Sequence, residues 1–320
     1  MADTENGFYG IGATNWVIEY LTPWDGYAHG ITRVLAAKRT DFQDMQIVES
    51  GAYGKALVLD GMWQSCTGEE FVYHEPLVQL PSVLHGNPKS VLVLGGGEGA
   101  TVREALRWKT VEKVKMVDID GDVVEACREH LPEMHQGAFD DPRTDLLIGD
   151  ALAYMDAEAS NPDGERFDIA ISDLVDPIED GPSQALFTAE YFAKCRAMLK
   201  PGGVLIVQAG PVAVNELRRH ARLYNTIKIV FRQTMSAFTP TSTYGSPWSY
   251  VIASDEELDL PRPEDIDKIL DERGVTGLRM FDGITAHGLT SVPKHIRTAV
   301  AEHTDPFTMD EKPVFFSAGS

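Results

Sequence analysis

Basic side chains are scarce. The chain has 28 lysines and arginines against 49 aspartates and glutamates, a formal net charge of −21 over 320 residues. A protein that tracks phosphates needs a basic face, so this deficit argues against general nucleic-acid binding. Anionic membrane surfaces are disfavoured for the same reason. Long apolar runs are also missing, and none approaches the ~18 residues that cross a bilayer. Cysteine is rare: Cys66, Cys127 and Cys195 are scattered, form no C-x-x-C pair and cannot all be paired with one another. That pattern fits buried free thiols in a reducing compartment. The opening residues MADTENGFYG show no basic n-region and no apolar h-region, so no secretory signal is expected and the cytoplasm is the expected location. The partner that so acidic a field attracts is a cationic small molecule.

What is present is an ordinary globular composition, 43% hydrophobic and 24% charged, long enough for one large domain with a small one. There is no internal repeat. The first 85 or so residues read as β: Gly30–Ala37, Met45–Ser50 and Lys55–Asp60 are strand-like runs, punctuated by Gly51, Gly54 and Asp60-Gly61. After Pro88 the texture changes. Ser90–Leu94 is a continuous apolar run, as in a buried parallel strand. A glycine loop, a helical stretch from Ala100 to Trp108, a strand from Val111 to Asp118 and a helix from Asp122 to His130 follow. Leu146–Ile148, Phe167–Ser172 and Val204–Gln208 repeat the strand pattern, with helical stretches such as Ala189–Lys200 between them. This alternation predicts βαβ units in a doubly wound, mostly parallel α/β sheet, divided at 1–85 and 86–320. The turn Pro201-Gly202-Gly203 is expected to separate a helix from its strand, and the tail holds helical pieces at Glu264–Arg273 and Pro293–Glu302.

Leu94-Gly95-Gly96-Gly97-Glu98-Gly99 lies between a strand and a helix, where glycines let the backbone turn tightly and approach a ligand. Alone the pattern fits a dinucleotide, an S-adenosyl ligand or a plain tight turn. Asp118 ends the next strand about 20 residues on, where an acid can bind ribose hydroxyls. Asp150, before the small Ala151, ends the strand after that, where it could meet an adenine amine. Helix capping is the competing role for both aspartates. Glu98 sits where a phosphate-binding loop would receive an anion, and its charge opposes one. It suits an adenosyl sulfonium whose tail ends in an amine; a solvent-facing Glu in a first helical turn is the plainer alternative.

Asp173 and Asp176 follow the strand Phe167–Ser172, at the sheet edge where open α/β folds bind ligands. Together they can hold a polyvalent ammonium and accept its proton. A Mg²⁺ site or an Asx turn before Pro177 are the rival readings.

The segments DGMWQSCTGEEFVYHE (Asp60–Glu75), VLVLGGGEG (Val91–Gly99), VDID (Val117–Asp120), GDA (Gly149–Ala151), SDLVDP (Ser172–Pro177) and QAGP (Gln208–Pro211) resemble, in order, the polyamine aminopropyltransferases, the spermidine synthase family. The resemblance implies a Rossmann-like, class I methyltransferase-like domain with a small N-terminal β domain. It implies transfer of an aminopropyl group from decarboxylated S-adenosylmethionine, a co-substrate, to an amine, with no metal or other cofactor. It implies that Gln43, Gly95, Gly97, Glu98, Asp118, Asp150, Ala151 and Asp173 contact the co-substrate. Trp24, Tyr73, His74, Asp176, Gln208 and Tyr244 would line the acceptor pocket, and Asp173 would be the base. It also implies a homodimer or homotetramer. Glu98 replaces the family's usual aspartate, Gly68 stands where an arginine is common, and Tyr244 takes the place of an aromatic residue after Pro-Thr. Putrescine is the expected acceptor, with agmatine and spermidine as alternatives. A class I methyltransferase, a dinucleotide oxidoreductase and a non-catalytic polyamine-binding protein are the rivals.

Overall fold

A computed structural model describes residues 12–13, 15–20, 25–177, 181 and 183–314. The N-terminal part is a five-stranded antiparallel sheet in sequence order: β1 (Asn15–Tyr20), β2 (Gly26–Arg39), β3 (Asp44–Ser50), β4 (Gly54–Leu59) and β5 (Met62–Cys66). Leu59 pairs with Met62 across a two-residue hairpin turn in which Asp60 and Gly61 both take positive φ, at the Asp-Gly pair expected to be a turn.

One expectation fails here. Glu70–His85 is not β but a helix, α1, ended by the left-handed Gly86. It packs against the strands of the second sheet and is buried around most of its circumference. A helix buried on nearly every side, with polar and apolar residues alike facing inward, shows no clear 3.6-residue period, and Pro76 and Pro81 inside it further hide the helical signal.

The second sheet has seven strands. These are β6 (Ser90–Gly95), β7 (Lys113–Asp118), β8 (Thr144–Ile148), β9 (Phe167–Asp173), β10 (Leu199–Pro211), β11 (Gln233–Thr239) and β12 (Trp248–Ser254), in the order β11-β12-β10-β9-β6-β7-β8. From β10 through β8 the pairings are parallel; β12 joins β10, and β11 joins β12, antiparallel. The sheet is therefore mostly parallel, as expected. Its helices are α2 (Ala100–Leu106), α3 (Gly121–His130), α4 (Pro132–His135), α5 (Ala151–Ser160), α6 (Ala189–Ala197), α7 (Leu217–Lys228), α8 (Pro263–Glu272), α9 (Gly283–Thr290) and α10 (Lys294–Glu302). Pro201-Gly202-Gly203 does not precede a strand but lies within β10, where the register against β9 shifts between Leu199 and Val204.

Chain order reverses at β6: β7 lies on one side and β9 on the other. The crevice between β6 and β9 is a topological switch point, where doubly wound sheets bind ligands outside the carboxyl ends of their strands. No described helix is long and apolar enough to cross a membrane.

Candidate functional site

The glycine loop follows β6 because only glycine tolerates its geometry. Gly95 has φ +84°, and a Cβ there would stand 2.2 Å from the Asp173 carbonyl oxygen. Gly96 N–H donates to that same oxygen at 3.1 Å, stitching the loop to the end of β9. A Cβ on Gly97 would lie 3.2 Å from the Asp118 carboxylate. The loop thus packs flat between two acids.

Around it opens a cavity of about 240 Å³. Gln43, Gly95, Gly97, Glu98, Asp118, Asp150, Ala151 and Asp173 line it, as do Tyr73, Asp176, Gln208 and Tyr244. Residues far apart in sequence therefore converge as expected. Trp24 lies outside the described residues. One expected residue does not reach the cavity. His74 is fully buried and stands behind Glu98 without reaching the lining. It follows Tyr73 on α1, so the two rings leave the helix in different directions, with planes 88° apart.

Asp173 is gripped by two hydroxyls. Tyr73 O–H donates to Oδ1 and Thr101 Oγ–H to Oδ2, each at 2.6 Å. Burial raises its pKa, the nearby Glu98 carboxylate adds to that, and His74 and the two hydroxyls oppose it. A carboxylate has about four lone-pair positions, so two remain for a ligand.

Glu98 points into the fold, not to solvent. Its Oε1 accepts from Ser65 Oγ at 3.0 Å and from His74 Nε2 at 3.1 Å. Burial pushes its pKa up, but the hydrogen bond and charge of His74 outweigh this and hold it below the usual value.

The strand-end aspartates divide their roles. Asp120, not Asp118, caps α3, accepting from Asp122 N and Val123 N, and also from Thr40 Oγ and Gln43 Nε2. Asp118 is left facing the cavity; burial, aided by its acidic neighbours, lifts its pKa to about 6. Asp150 both lines the cavity and caps α5 through Leu152 N at 2.7 Å. For Asp150 the capping role and the site role coexist.

At the other end, Gln208 Nε2 donates to Asp176 Oδ1 at 2.8 Å and to the Leu174 carbonyl at 2.7 Å, while its Oε1 accepts from Trp248 Nε1 at 3.1 Å. Burial raises the Asp176 pKa, and Gln208 moderates the rise. Tyr244 donates to the Gln64 carbonyl and packs on Trp248, ring centroids 4.6 Å apart.

Sequence reasoning missed Glu19, Trp63, Gln64 and Trp248, which also line the cavity. Glu19 is the notable omission. It comes from β1 and accepts from Trp63 N at 2.9 Å, and burial lifts its carboxyl to about 7. The only cue in sequence was an acid directly after the apolar run Trp16-Val17-Ile18. Cys66, Cys127 and Cys195 are all buried and free. Burial pushes the Cys66 thiol to about 11 and that of Cys195 to about 12, so neither is a thiolate nucleophile.

Fold and site together define a doubly wound α/β protein with an acidic, ligand-sized cavity at its switch point. A family model described as Spermine/spermidine synthase domain matches residues 70–261, and one described as Spermidine synthase tetramerisation domain matches residues 15–66. A polyamine aminopropyltransferase of Synechococcus sp. (strain JA-2-3B'a(2-13)) is 49% identical over 309 residues, covering 93% of this chain and 96% of that one. The polyamine aminopropyltransferase of Aeropyrum pernix is 40% identical over 316 residues, 95% and 96% of the two chains. Among solved structures, spermidine synthase in complex with the transition-state analogue AdoDATO superposes with TM-score 0.80 at 30% identity, over 90% of this chain and 96% of that one. Spermidine synthase from Thermotoga maritima gives TM-score 0.79 at 30% identity, over 90% and 94%. The chain belongs to the spermine/spermidine synthase family and is an aminopropyltransferase of polyamine biosynthesis.

Proposed function

We propose that this enzyme moves the aminopropyl group of decarboxylated S-adenosylmethionine to putrescine, giving spermidine and methylthioadenosine. One observation carries the reading. Glu98 and Asp173 line the same cavity at the glycine loop and reinforce each other's negative field, so a phosphate or a ligand carboxylate would be repelled there and an ammonium held. Asp118 takes the ribose hydroxyls and Asp150 with Ala151 the adenine edge, and Gln43 borders the nucleoside. Asp176, Gln208, Tyr73 and Tyr244 frame the acceptor, whose far ammonium Asp176 and Glu19 anchor.

The acceptor nitrogen attacks the carbon beside the sulfonium. The new C–N bond forms as the C–S bond breaks, and its electron pair leaves on sulfur as a neutral thioether. Asp173 takes the proton that the nitrogen must lose. An ammonium has a pKa near that of lysine, so carboxylate and amine must be brought closer in basicity. Burial of Asp173 moves the carboxylate in that direction. Holding nitrogen, carbon and sulfur in line supplies the rest. The step balances without a metal or cofactor.

The N-terminal sheet is where we place self-association into a dimer or tetramer. On its edge strand β1, Trp16, Ile18 and Tyr20 are exposed apolar side chains. The free cysteines support a cytoplasmic setting.

The test is a product assay with decarboxylated S-adenosylmethionine and putrescine, agmatine or spermidine in turn, read by mass. Spermidine as the dominant product is expected. A dominant product from agmatine or spermidine would replace the acceptor, and no methylthioadenosine with any amine would overturn the reaction.

A further inference from the structure

The side chains behind Glu98 form a continuous buried chain of charge. His74 Nε2–H donates to Glu98 Oε1 at 3.1 Å, and Nδ1–H donates to Glu70 Oε2 at 3.1 Å and to the Glu70 carbonyl at 2.9 Å. Arg103 NH2 donates to the same Glu70 oxygen at 2.7 Å, and its other nitrogens reach Glu104 and the Met134 carbonyl. Glu104 is held in turn by Arg107 at 2.7 Å and Gln79 at 3.0 Å. Glu70, His74, Arg103 and Glu104 are all buried, and of these none lines the cavity.

A neutral imidazole carries one N–H, yet both nitrogens of His74 face acceptors only. The ring is therefore an imidazolium, and its surroundings agree. Burial disfavours the charge, but the two carboxylates overcome that and raise its pKa to about 10. Glu70 falls to about 2 because His74 and Arg103 outweigh its burial. Leaving buried charges in such a place is costly unless every one is paired, which these are.

We propose that Arg103–Glu70–His74–Glu98 is a positioning relay in which His74 serves as a fixed cation behind Glu98 and acts on the reaction through Glu98 and Asp173, not by touching the acceptor amine. The relay rests on the assignment of Asp173 as base. Glu98 alone would hold Asp173 protonated by like-charge repulsion. The imidazolium opposes that repulsion and favours the ionised form of Asp173, which burial still leaves more basic than an ordinary carboxylate. The titratable groups that face Asp173 are Tyr73, Glu98, His74, Asp118, Tyr244 and Tyr250. Among them His74 is the sole cation. Those facing the His74 ring are Glu70, Glu98, Asp173 and the edge of Tyr73.

The first test needs no variant and no turnover. In ¹⁵N-labelled ligand-free enzyme, both ring nitrogens of His74 are expected to remain protonated from pH 6 to 8; a ring that titrates in that range overturns the relay. The second test is a cycle of His74→Gln, Glu98→Gln and the double variant, with Glu70→Gln as a milder disruption. The expected result is that His74→Gln moves the acid limb of kcat/KM upward by about one pH unit, tenfold in proton affinity, and Glu70→Gln moves it the same way by less. The acceptor KM should change little, and His74→Gln should add nothing in the Glu98→Gln background. Fully additive effects would show that His74 does not act through Glu98, and a loss confined to acceptor KM would show that it touches the amine; either overturns the relay. Loss of methylthioadenosine formation in the unaltered enzyme would instead defeat the underlying reaction.

Discussion

Tyr73 donates its phenolic hydroxyl to Asp173 at 2.6 Å, joining the first helix after the N-terminal sheet to the end of β9 a hundred residues later. Burial and this carboxylate push the Tyr73 hydroxyl well above its ordinary pKa, so it remains a donor at any working pH. The contact fixes one oxygen of the proposed base and leaves the group able to accept a proton.

Asp118 faces the cavity free of helix-capping duty, and the proposed ribose contact depends on its charge. Replacing it with Asn should weaken methylthioadenosine binding about 10- to 100-fold, the range for hydrogen bonds to a charged group. Because Asp118 ionises near pH 6, wild-type affinity should also fall as pH drops from 7 to 5. Calorimetric titration across that range checks both; a pH-independent affinity unaltered by Asp118→Asn contradicts the contact.

Glu19 carries a carboxyl of pKa about 7 in the cavity, at the end proposed for the acceptor. Deprotonation creates the charge that an ammonium wants. The acceptor KM should therefore fall as pH rises from 6 to 8, by up to about tenfold per unit below the pKa. In Glu19→Gln the KM should be higher and flat over that interval. Steady-state kinetics at fixed co-substrate decides; a parallel slope in the variant places the titration elsewhere.

Gly95→Ala would place a methyl 2.2 Å from the Asp173 carbonyl in a backbone that favours glycine. Strain of this kind costs on the order of 1–3 kcal/mol. A lowered Tm in the ligand-free protein, with loss of turnover as Asp173 shifts, is the expected outcome. Unchanged Tm and activity would mean that the loop is not so tightly stitched to β9.

His220 is buried between Ser249 and Ser236, each 3.0 Å away, and burial lowers its pKa from 6.5 to about 4. The folded state therefore binds this proton more weakly than the unfolded state does. Stability should decline as pH falls from 6.5 to 4, by about 3 kcal/mol from this group, and level off below. Urea unfolding from pH 4 to 7 should show a shallower acid slope in His220→Gln than in the wild type. Equal slopes would show that the imidazole does not control acid stability.

Much of this was legible beforehand because its signals are local. Asp60-Gly61 announced a turn, Ser90–Leu94 a buried parallel strand, and Gly95–Gly99 a tight turn open to a ligand. The convergence of Glu98, Asp118 and Asp173 followed from their places at strand ends, since parallel strands bring all such ends to one edge. What stayed hidden depends on tertiary contact. Helix α1 is buried around most of its circumference, with polar Glu70, His74, Glu75 and Gln79 among its buried side chains, and contains two prolines, so no period marked it. Glu19 enters the cavity only because β1 folds back beside β5. His74 adjoins Tyr73 in sequence, and nothing local showed that the two side chains leave α1 on opposite errands, one to Asp173 and one to Glu98.

The account stands most directly on Asp173 as the base. The deciding measurement is single-turnover formation of methylthioadenosine by Asp173→Asn, beside the wild type, with both substrates saturating. The variant should still bind methylthioadenosine, which has no aminopropyl ammonium, while the chemical step slows ~10²–10⁴-fold. A near-wild-type rate would remove Asp173 from the role given to it and require another acceptor for the proton.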